Sequence, residues 1–316
     1  MRIFLLGILV ACNVHAQTYP NKPIRLVVPF APGGSSTLVA RSVAAEMEKG
    51  LGQSIVIENK GGGGGNLAMS EVARADPDGY TLIIGHVGSL AMTPFMTPNL
   101  GYDVNKDFAP VSLLAKVPNI FVVHESVPAK DLREFVALAK SKPGQLNYGS
   151  AGNGSAGHLA MEYLKLVTGM DLQHVPYKGT GPNLVDLVAG RTQATSAGTP
   201  PLMPHVKAGK LRVIAAGTPK RLPSLPDVAT VAEQGYPGFE MTQWYGMLAP
   251  ASMAPANVAR LSAETMKAVR SPAATERLRG DAAEAVGGTP EQFAQFIASE
   301  QARWKKVITR ANIKPD

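Results

Sequence analysis

The chain has 316 residues, 45% of them apolar, and a formal net charge of +7; this bounds it to one large or two medium globular domains with real cores. The basic residues are dispersed, with no run of Lys and Arg interleaved with aromatics, which excludes a nucleic-acid partner and leaves a diffuse field that favours small anions. Cys12 is the only cysteine and falls in an N-terminal segment expected to be removed or acylated, so disulfides, thiol catalysis and cysteine metal sites are excluded for the mature chain.

At the N-terminus, Arg2 precedes an apolar run, Ile3 to Val10, and a small-x-small pattern, Val14-His15-Ala16. This predicts a secretory signal peptide over 1–16, too short to span a bilayer. A competing reading takes Leu9-Val10-Ala11-Cys12 as a lipobox that would acylate Cys12. Neither leaves a free thiol. Cleavage after Ala16 removes one charge, Arg2, and lowers the net charge from +7 to +6.

The first predicted strand, 24–30, feeds Ala31-Pro32-Gly33-Gly34-Ser35-Ser36-Thr37 and a helix over 36–50, with Val39, Val43 and Met47 on one face. Glycines let backbone N–H groups converge there, the helix N-terminus adds partial positive charge, and hydroxyls add donors, so the turn is built for an anion. Strands follow at 54–59 and 81–85. Between them, Gly61 to Gly65 meets Asn66 where a dinucleotide fingerprint needs glycine, and no Lys-Ser/Thr pair follows, so the run reads as a flexible strand-to-helix turn. His86 ends the 81–85 strand at a carboxyl edge, where open α/β sheets place ligands.

Strands at 111–115 and 120–124 flank Lys116-Val117-Pro118-Asn119, read as a crossing between domains. A helix over 131–141 is capped by Asp131. The next strand, 145–148, feeds a second anion-type turn, Gly149-Ser150-Ala151-Gly152-Asn153-Gly154-Ser155, with His158 in the first turn of the helix beyond it. Residues 152–157 match G-x-G-x-x-G, so an exported dinucleotide-dependent enzyme is the alternative reading. Against it, the following strand, 173–176, ends in Tyr177-Lys178-Gly179 and not in the acidic residue that holds a ribose. No G-x-S-x-G occurs and no two histidines stand at i, i+4, so neither a serine-hydrolase elbow nor a zinc helix is present.

Further strands are expected at 193–196, 211–216 and 245–249, a surface connection at 218–226, and a return crossing through 235–244. The last helix, about 291–311, carries a core-facing stripe of Phe293, Phe296, Ile297, Trp304, Val307 and Ile308. Strands alternating with helices predict an α/β protein, and their continuous apolar interiors suggest parallel strands covered on both faces. Two anion-type turns more than a hundred residues apart suggest two domains gripping the two ends of a small carboxylate.

The chain resembles the Bug (Bordetella uptake gene) family, the extracytoplasmic solute receptors of tripartite tricarboxylate transporters. The matching stretches are YPNKPIRLVVPF at 19–30, DPDGYTL at 76–82, KDFAPV at 106–111, LNYGSAGNGS at 146–155, HVPYKG at 174–179 and VGGTP at 286–290. The resemblance implies a type II periplasmic-binding-protein fold: two α/β lobes joined by two crossings, a ligand cleft between them, no cofactor and no covalent chemistry. It also implies a monomer in the periplasm that delivers a small carboxylate to a permease of one large and one small subunit. A partner of a sensor kinase would share the cleft. The expected lobes are 17–119 plus 245–316, and 120–244.

By the same resemblance, ligand contacts fall on Pro32, Gly33, Gly34, Ser35 and Ser36 in the first loop and Ser150, Ala151, Asn153, Gly154 and Ser155 in the second. Phe30, His86, His158 and Tyr177 are added by position. Where the family usually carries aspartates, this chain has Thr37 and the segment Ala197-Gly198-Thr199. A cleft that binds an amino acid benefits from a carboxylate to pair with the ammonium, because a buried unpaired charge is costly. A dicarboxylate, aliphatic or aromatic, is therefore expected ahead of an amino acid.

Overall fold

A computed structural model of the chain describes residues 19–280 and 282–311; the signal peptide expected over 1–16 and its Cys12 alternative lie outside them. The strands are β1 (Ile24–Val28), β2 (Ile55–Asn59), β3 (Thr81–His86), β4 (Phe108–His124), β5 (Asn147–Ser150), β6 (Gln173–Pro176), β7 (Ala194–Gly198), β8 (Leu211–Ala216), β9 (Thr242–Pro250) and β10 (Glu284–Ala285). The helices are α1 (Ser35–Leu51), α2 (Asn66–Val72), α3 (Leu132–Ser141), α4 (Ala156–Thr168), α5 (Thr180–Val188), α6 (Thr199–Lys207), α7 (Pro255–Arg270), α8 (Pro272–Gly280) and α9 (Pro290–Ala311).

Local chemistry sets several helix ends. The Asp131 side chain accepts the Glu134 N–H at 2.9 Å and so caps α3. Ser155 does the same for α4, accepting from the His158 N–H at 3.3 Å. Gly52 closes α1 in the left-handed conformation, φ 66°, and returns its N–H to the Glu48 carbonyl.

The strands run in the order β2-β1-β3-β9-β4-β7-β5-β6, with β8 and β10 also paired to β4. The sequence suggests separate strands at 111–115 and 120–124; the structure joins them in β4, 17 residues long. Lys116, Pro118 and Asn119 interrupt the apolar run because β4 changes partners there. It pairs with β9 as far as Pro118 opposite Thr242, and with β7 from Asn119 opposite Gly198. The expectation of parallel strands holds for β1–β2, β1–β3, β5–β6 and β5–β7. It fails for β4 and β9, which pair antiparallel, because strands that leave one lobe and return to it run in opposite directions.

Strand alternation divides the core. Leu26, Val28, Leu82, Ile84 and Met247 pack under the Val39, Val43 and Met47 face of α1. In the second lobe, Ile120 and Val122 pack with Leu187 and Leu202. The opposite faces merge through Phe121, Phe239 and Trp244 with the α9 residues Phe293, Ile297, Trp304 and Ile308. No described helix is long and apolar enough to cross a membrane.

Candidate functional site

Period-two alternation carries the α1-facing rows of the first sheet past its carboxyl edge. Phe30 continues the row of Leu26 and Val28, His86 that of Leu82 and Ile84, and Tyr245 stands opposite His86 in the β3–β9 register, with Gln243 two residues before it. These four residues form one wall of a cavity between the lobes. The other walls are helix beginnings. Ser35 and Ser36 open α1, Ser155, Ala156 and Gly157 open α4, and Thr180 and Asn183 lie in the first turn of α5. Ala151, Ser196 and Ala197 complete the lining.

Three helix N-termini thus face one space, and none of its lining residues carries a carboxylate, an ammonium or a guanidinium group. Such a site offers N–H and hydroxyl donors and partial positive charge without a counter-charge, which suits an anion. The cavity holds about 20 Å³, a space on the scale of one water. The lobes are therefore closed on each other, and must open to admit an organic acid.

His86 is the one titratable base in the wall. Its Nδ1 accepts the Gly88 N–H at 3.0 Å, which leaves the proton on Nε2 to donate to the Gly64 carbonyl at 3.1 Å. Burial pushes its pKa down to about 4, against the opposing pull of the Gly64 hydrogen bond. The imidazole is neutral at physiological pH and adds no cation to the site.

At the cavity, closure rests on backbone carbonyls of the second lobe. The Ala31 N–H donates to the Lys178 carbonyl at 2.9 Å, and the Thr93 hydroxyl to the Gly154 carbonyl at 3.4 Å. Glycines stand at several of the contacts around the cavity. A Cβ on Gly61 would lie 2.2 Å from the Lys178 oxygen, on Gly64 2.1 Å from the Asn153 oxygen, on Gly181 2.2 Å from the Pro32 oxygen and on Gly198 2.5 Å from Ser35 Oγ. The Gly61 to Gly65 run, expected to be a flexible turn, is the face on which the second lobe rests.

Of the residues singled out from sequence, Phe30, Ser35, Ser36, His86, Ala151, Ser155 and Ala197 line the cavity. The others stand around it. Pro32 and Gly33 pack against Gly181, and Gly34 against Thr180. Thr37 accepts from Asn59 Nδ2 at 2.8 Å, and the same amide group donates to the Phe30 carbonyl at 2.8 Å, so both fix the first loop from behind. Ser150 Oγ accepts the Gly152 N–H at 3.0 Å and meets His174 Nε2 at 2.7 Å. Asn153 and Gly154 present their carbonyls to the first lobe.

His158, expected at the ligand, is instead wholly buried inside the second lobe. Its Nδ1 accepts the Gly154 N–H at 3.1 Å and its ring stacks on His174 at 4.2 Å. It holds the second loop rather than lining the cavity. Tyr177 turns its hydroxyl to Asp186 Oδ2 at 2.7 Å, with its pKa pushed up to about 12 by burial and by that carboxylate. Gly198 caps α6 beneath Ser35.

Sequence reasoning missed Ala156, Gly157, Thr180, Asn183, Ser196, Gln243 and Tyr245. Thr180 had a local signal, since Gly179-Thr180-Gly181 is a third glycine turn between a strand and a helix. Gln243 and Tyr245 had only their polarity within an apolar strand.

Comparison with known proteins agrees with this architecture. The sequence model of the family described as "Tripartite tricarboxylate transporter family receptor" matches residues 39–313. BugT of Bordetella pertussis is 34% identical over 313 residues, 99% of this chain and 96% of its own length. Among solved structures, Rhodopseudomonas palustris Rpa4515 with adipate is 38% identical at a TM-score of 0.90, covering 94% of this chain and 100% of that one. MatC from the same organism, with bound malate, is 37% identical at a TM-score of 0.88, covering 92% and 100%. The chain therefore belongs to the Bug-type receptor family of tripartite tricarboxylate transporters and has the two-lobed fold of a periplasmic binding protein.

Proposed function

We propose that the protein is an extracytoplasmic receptor that encloses a small dicarboxylate between its lobes and presents the closed form to a membrane permease of one large and one small subunit. The observation that carries this reading is the convergence of three helix N-termini on a cavity with no fixed charge in its lining. The adipate and malate in the two R. palustris relatives are both dicarboxylates, which supports the ligand class.

Hydrogen bonds to a charged group are worth about 1.5–3 kcal/mol each. Micromolar binding needs about 8 kcal/mol, so about four to six donors from the loop ends suffice before ordering costs. An ammonium group would enter the same cavity unpaired, which disfavours amino acids.

The protein acts as a monomer in the periplasm, binds without covalent chemistry and opens and closes about its crossings. Its lobes are 17–119 plus 245–316, and 120–244; the partner change of β4 at Pro118 and Asn119 supports the first boundary. The 152–157 glycine turn favours this receptor over a dinucleotide enzyme, because Gly152 and Gly154 lie against Gly64 and Thr93 of the first lobe and not beside open space for a pyrophosphate.

A thermal-shift panel of aliphatic and aromatic dicarboxylates, tricarboxylates, monocarboxylates, amino acids and nicotinamide dinucleotides tests the reading. A ligand at 100 times its dissociation constant adds about 2.7 kcal/mol to the folded state, seen as a clear rise in melting temperature. A rise with dicarboxylates is expected. A rise with a dinucleotide alone would replace the receptor with an enzyme.

A further inference from the structure

The crossing strands carry a buried polar chain along the cavity wall, and its direction can be worked out from one end. Ser196 Oγ lies 3.3 Å from the Ile120 carbonyl, which can only accept, so Ser196 donates to it. Ser196 must then accept from the Asn119 amide, through Nδ2 at 2.5 Å. That turns Asn119 Oδ1 toward Gln243, whose Nε2 donates to it. Gln243 Oε1 is left to accept the Tyr245 hydroxyl at 2.5 Å. Tyr245, Gln243, Asn119 and Ser196 are all at least nine-tenths buried. The chain crosses between the lobes three times, from Tyr245 to Gln243, from Gln243 to Asn119 and from Asn119 to Ser196.

The consequence falls on Gln243. Its carbonyl oxygen is occupied, its amide orientation is fixed from both sides, and one of its two Nε2 hydrogens goes to Asn119. Gln243 also lines the cavity. The remaining Nε2 hydrogen makes the crossing-strand end of the cavity a donor, and the chain prevents the amide from turning to offer an acceptor instead.

Resting on the carboxylate-receptor reading above, we infer that Gln243 is the specificity residue for the ligand's second acidic group. It donates to a carboxylate oxygen at the crossing-strand end while the helix N-termini hold the first. An ammonium or hydroxyl hydrogen placed against the same amide finds a donor facing it, so the residue selects diacids over monoacids and over amino acids.

Calorimetric titration of wild type, Gln243→Leu and Gln243→Glu with succinate, adipate, butyrate and hexanoate tests this. The readout is the ratio of diacid to monoacid affinity at matched chain length, which a merely structural loss would leave unchanged. Wild type is expected to favour the diacid, and Gln243→Leu to lower the ratio about tenfold or more. Gln243→Glu guards against a folding failure: its carboxylate still accepts from Tyr245, and it accepts from Asn119 Nδ2 once the Asn119 amide turns and Ser196 gives up the Ile120 carbonyl to donate to Asn119 Oδ1. Its charge should lower the ratio further. An unchanged ratio in either folded variant, or a wild type without diacid preference, overturns the assignment while leaving a carboxylate receptor standing. A wild type that binds none of the four acids, or any other carboxylate, overturns that reading and the assignment with it.

Discussion

Gly61 of the first lobe lies so close to Lys178 of the second that a Cβ at position 61 would stand 2.2 Å from the Lys178 carbonyl oxygen, which itself accepts the Ala31 N–H. The contact exists only while the lobes are closed. Gly61 does not have a left-handed φ, so its lack of a side chain serves the approach of the lobes and not the local backbone. Gly61→Ala should leave each lobe folded and penalise closure. Overpacking costs about 1–3 kcal/mol, which lowers ligand affinity by about 5- to 150-fold. Small-angle scattering of the variant at saturating ligand should show a larger fraction of open molecules than wild type; equal affinity and equal scattering profiles would remove the seam from the closing mechanism.

His86 predicts an acid-side loss of stability with a defined window. Its folded pKa is about 4 against the ordinary 6.5, so between those values the unfolded chain binds a proton that the folded chain does not. Stability from this residue is complete above pH 6.5 and falls as the pH drops toward 4. The full effect is about 3 kcal/mol. Urea unfolding of wild type and His86→Phe at pH 7 and pH 4.5 separates it from the carboxylates, which titrate in both proteins. The variant should lose less stability across that interval, and parallel losses would mean that His86 is protonated in the native state.

Ser155 and Ser36 both line the cavity but hold different duties in the fold. Ser155 caps α4 through the His158 N–H, whereas α1 begins after Gly34, without a side-chain cap. Ser155→Ala should therefore lower unfolding free energy by about 1 kcal/mol and weaken ligand binding as well. Ser36→Ala should weaken binding with a melting temperature close to wild type. Paired thermal melts and titrations check both, and a binding loss in neither would place the carboxylate elsewhere.

The loop residues were legible in the sequence because their signal is local. A strand, a glycine turn and a hydroxyl-rich helix start at 33–36 and 149–155 carry their own reason, and Ser35, Ser36, Ala151 and Ser155 do line the cavity. Gln243 and Tyr245 were not legible, because Tyr245 reaches the site only through the antiparallel register that sets it opposite His86. The same applies to Gly61: its role depends on Lys178, more than a hundred residues away. At 116–119, polarity and proline read as a break in the strand, since one chain segment does not reveal that its neighbours change from β9 to β7 along its length. His158 misled for the opposite reason. Its place in the first turn of α4 was read correctly, but its ring turns inward against His174.

Ala197 offers a direct test of the charge logic of the cavity. It lies in the lining on the second lobe, 5% exposed, and no carboxylate stands among the lining residues. Wild type should therefore bind succinate at least about tenfold more tightly than aspartate, since the two differ by an ammonium group for which the lining holds no carboxylate, and a buried charge without a counter-charge costs several kcal/mol. Ala197→Asp places a carboxylate in the wall. It should repel a diacid and supply the partner an ammonium needs, so succinate affinity should fall and the aspartate-to-succinate ratio should rise about a hundredfold, a change of about 2.7 kcal/mol. Titration of both proteins with both ligands decides it. Tight aspartate binding by the wild type would show that uncharged acceptors, without a side-chain carboxylate, are sufficient to hold an ammonium in this cleft.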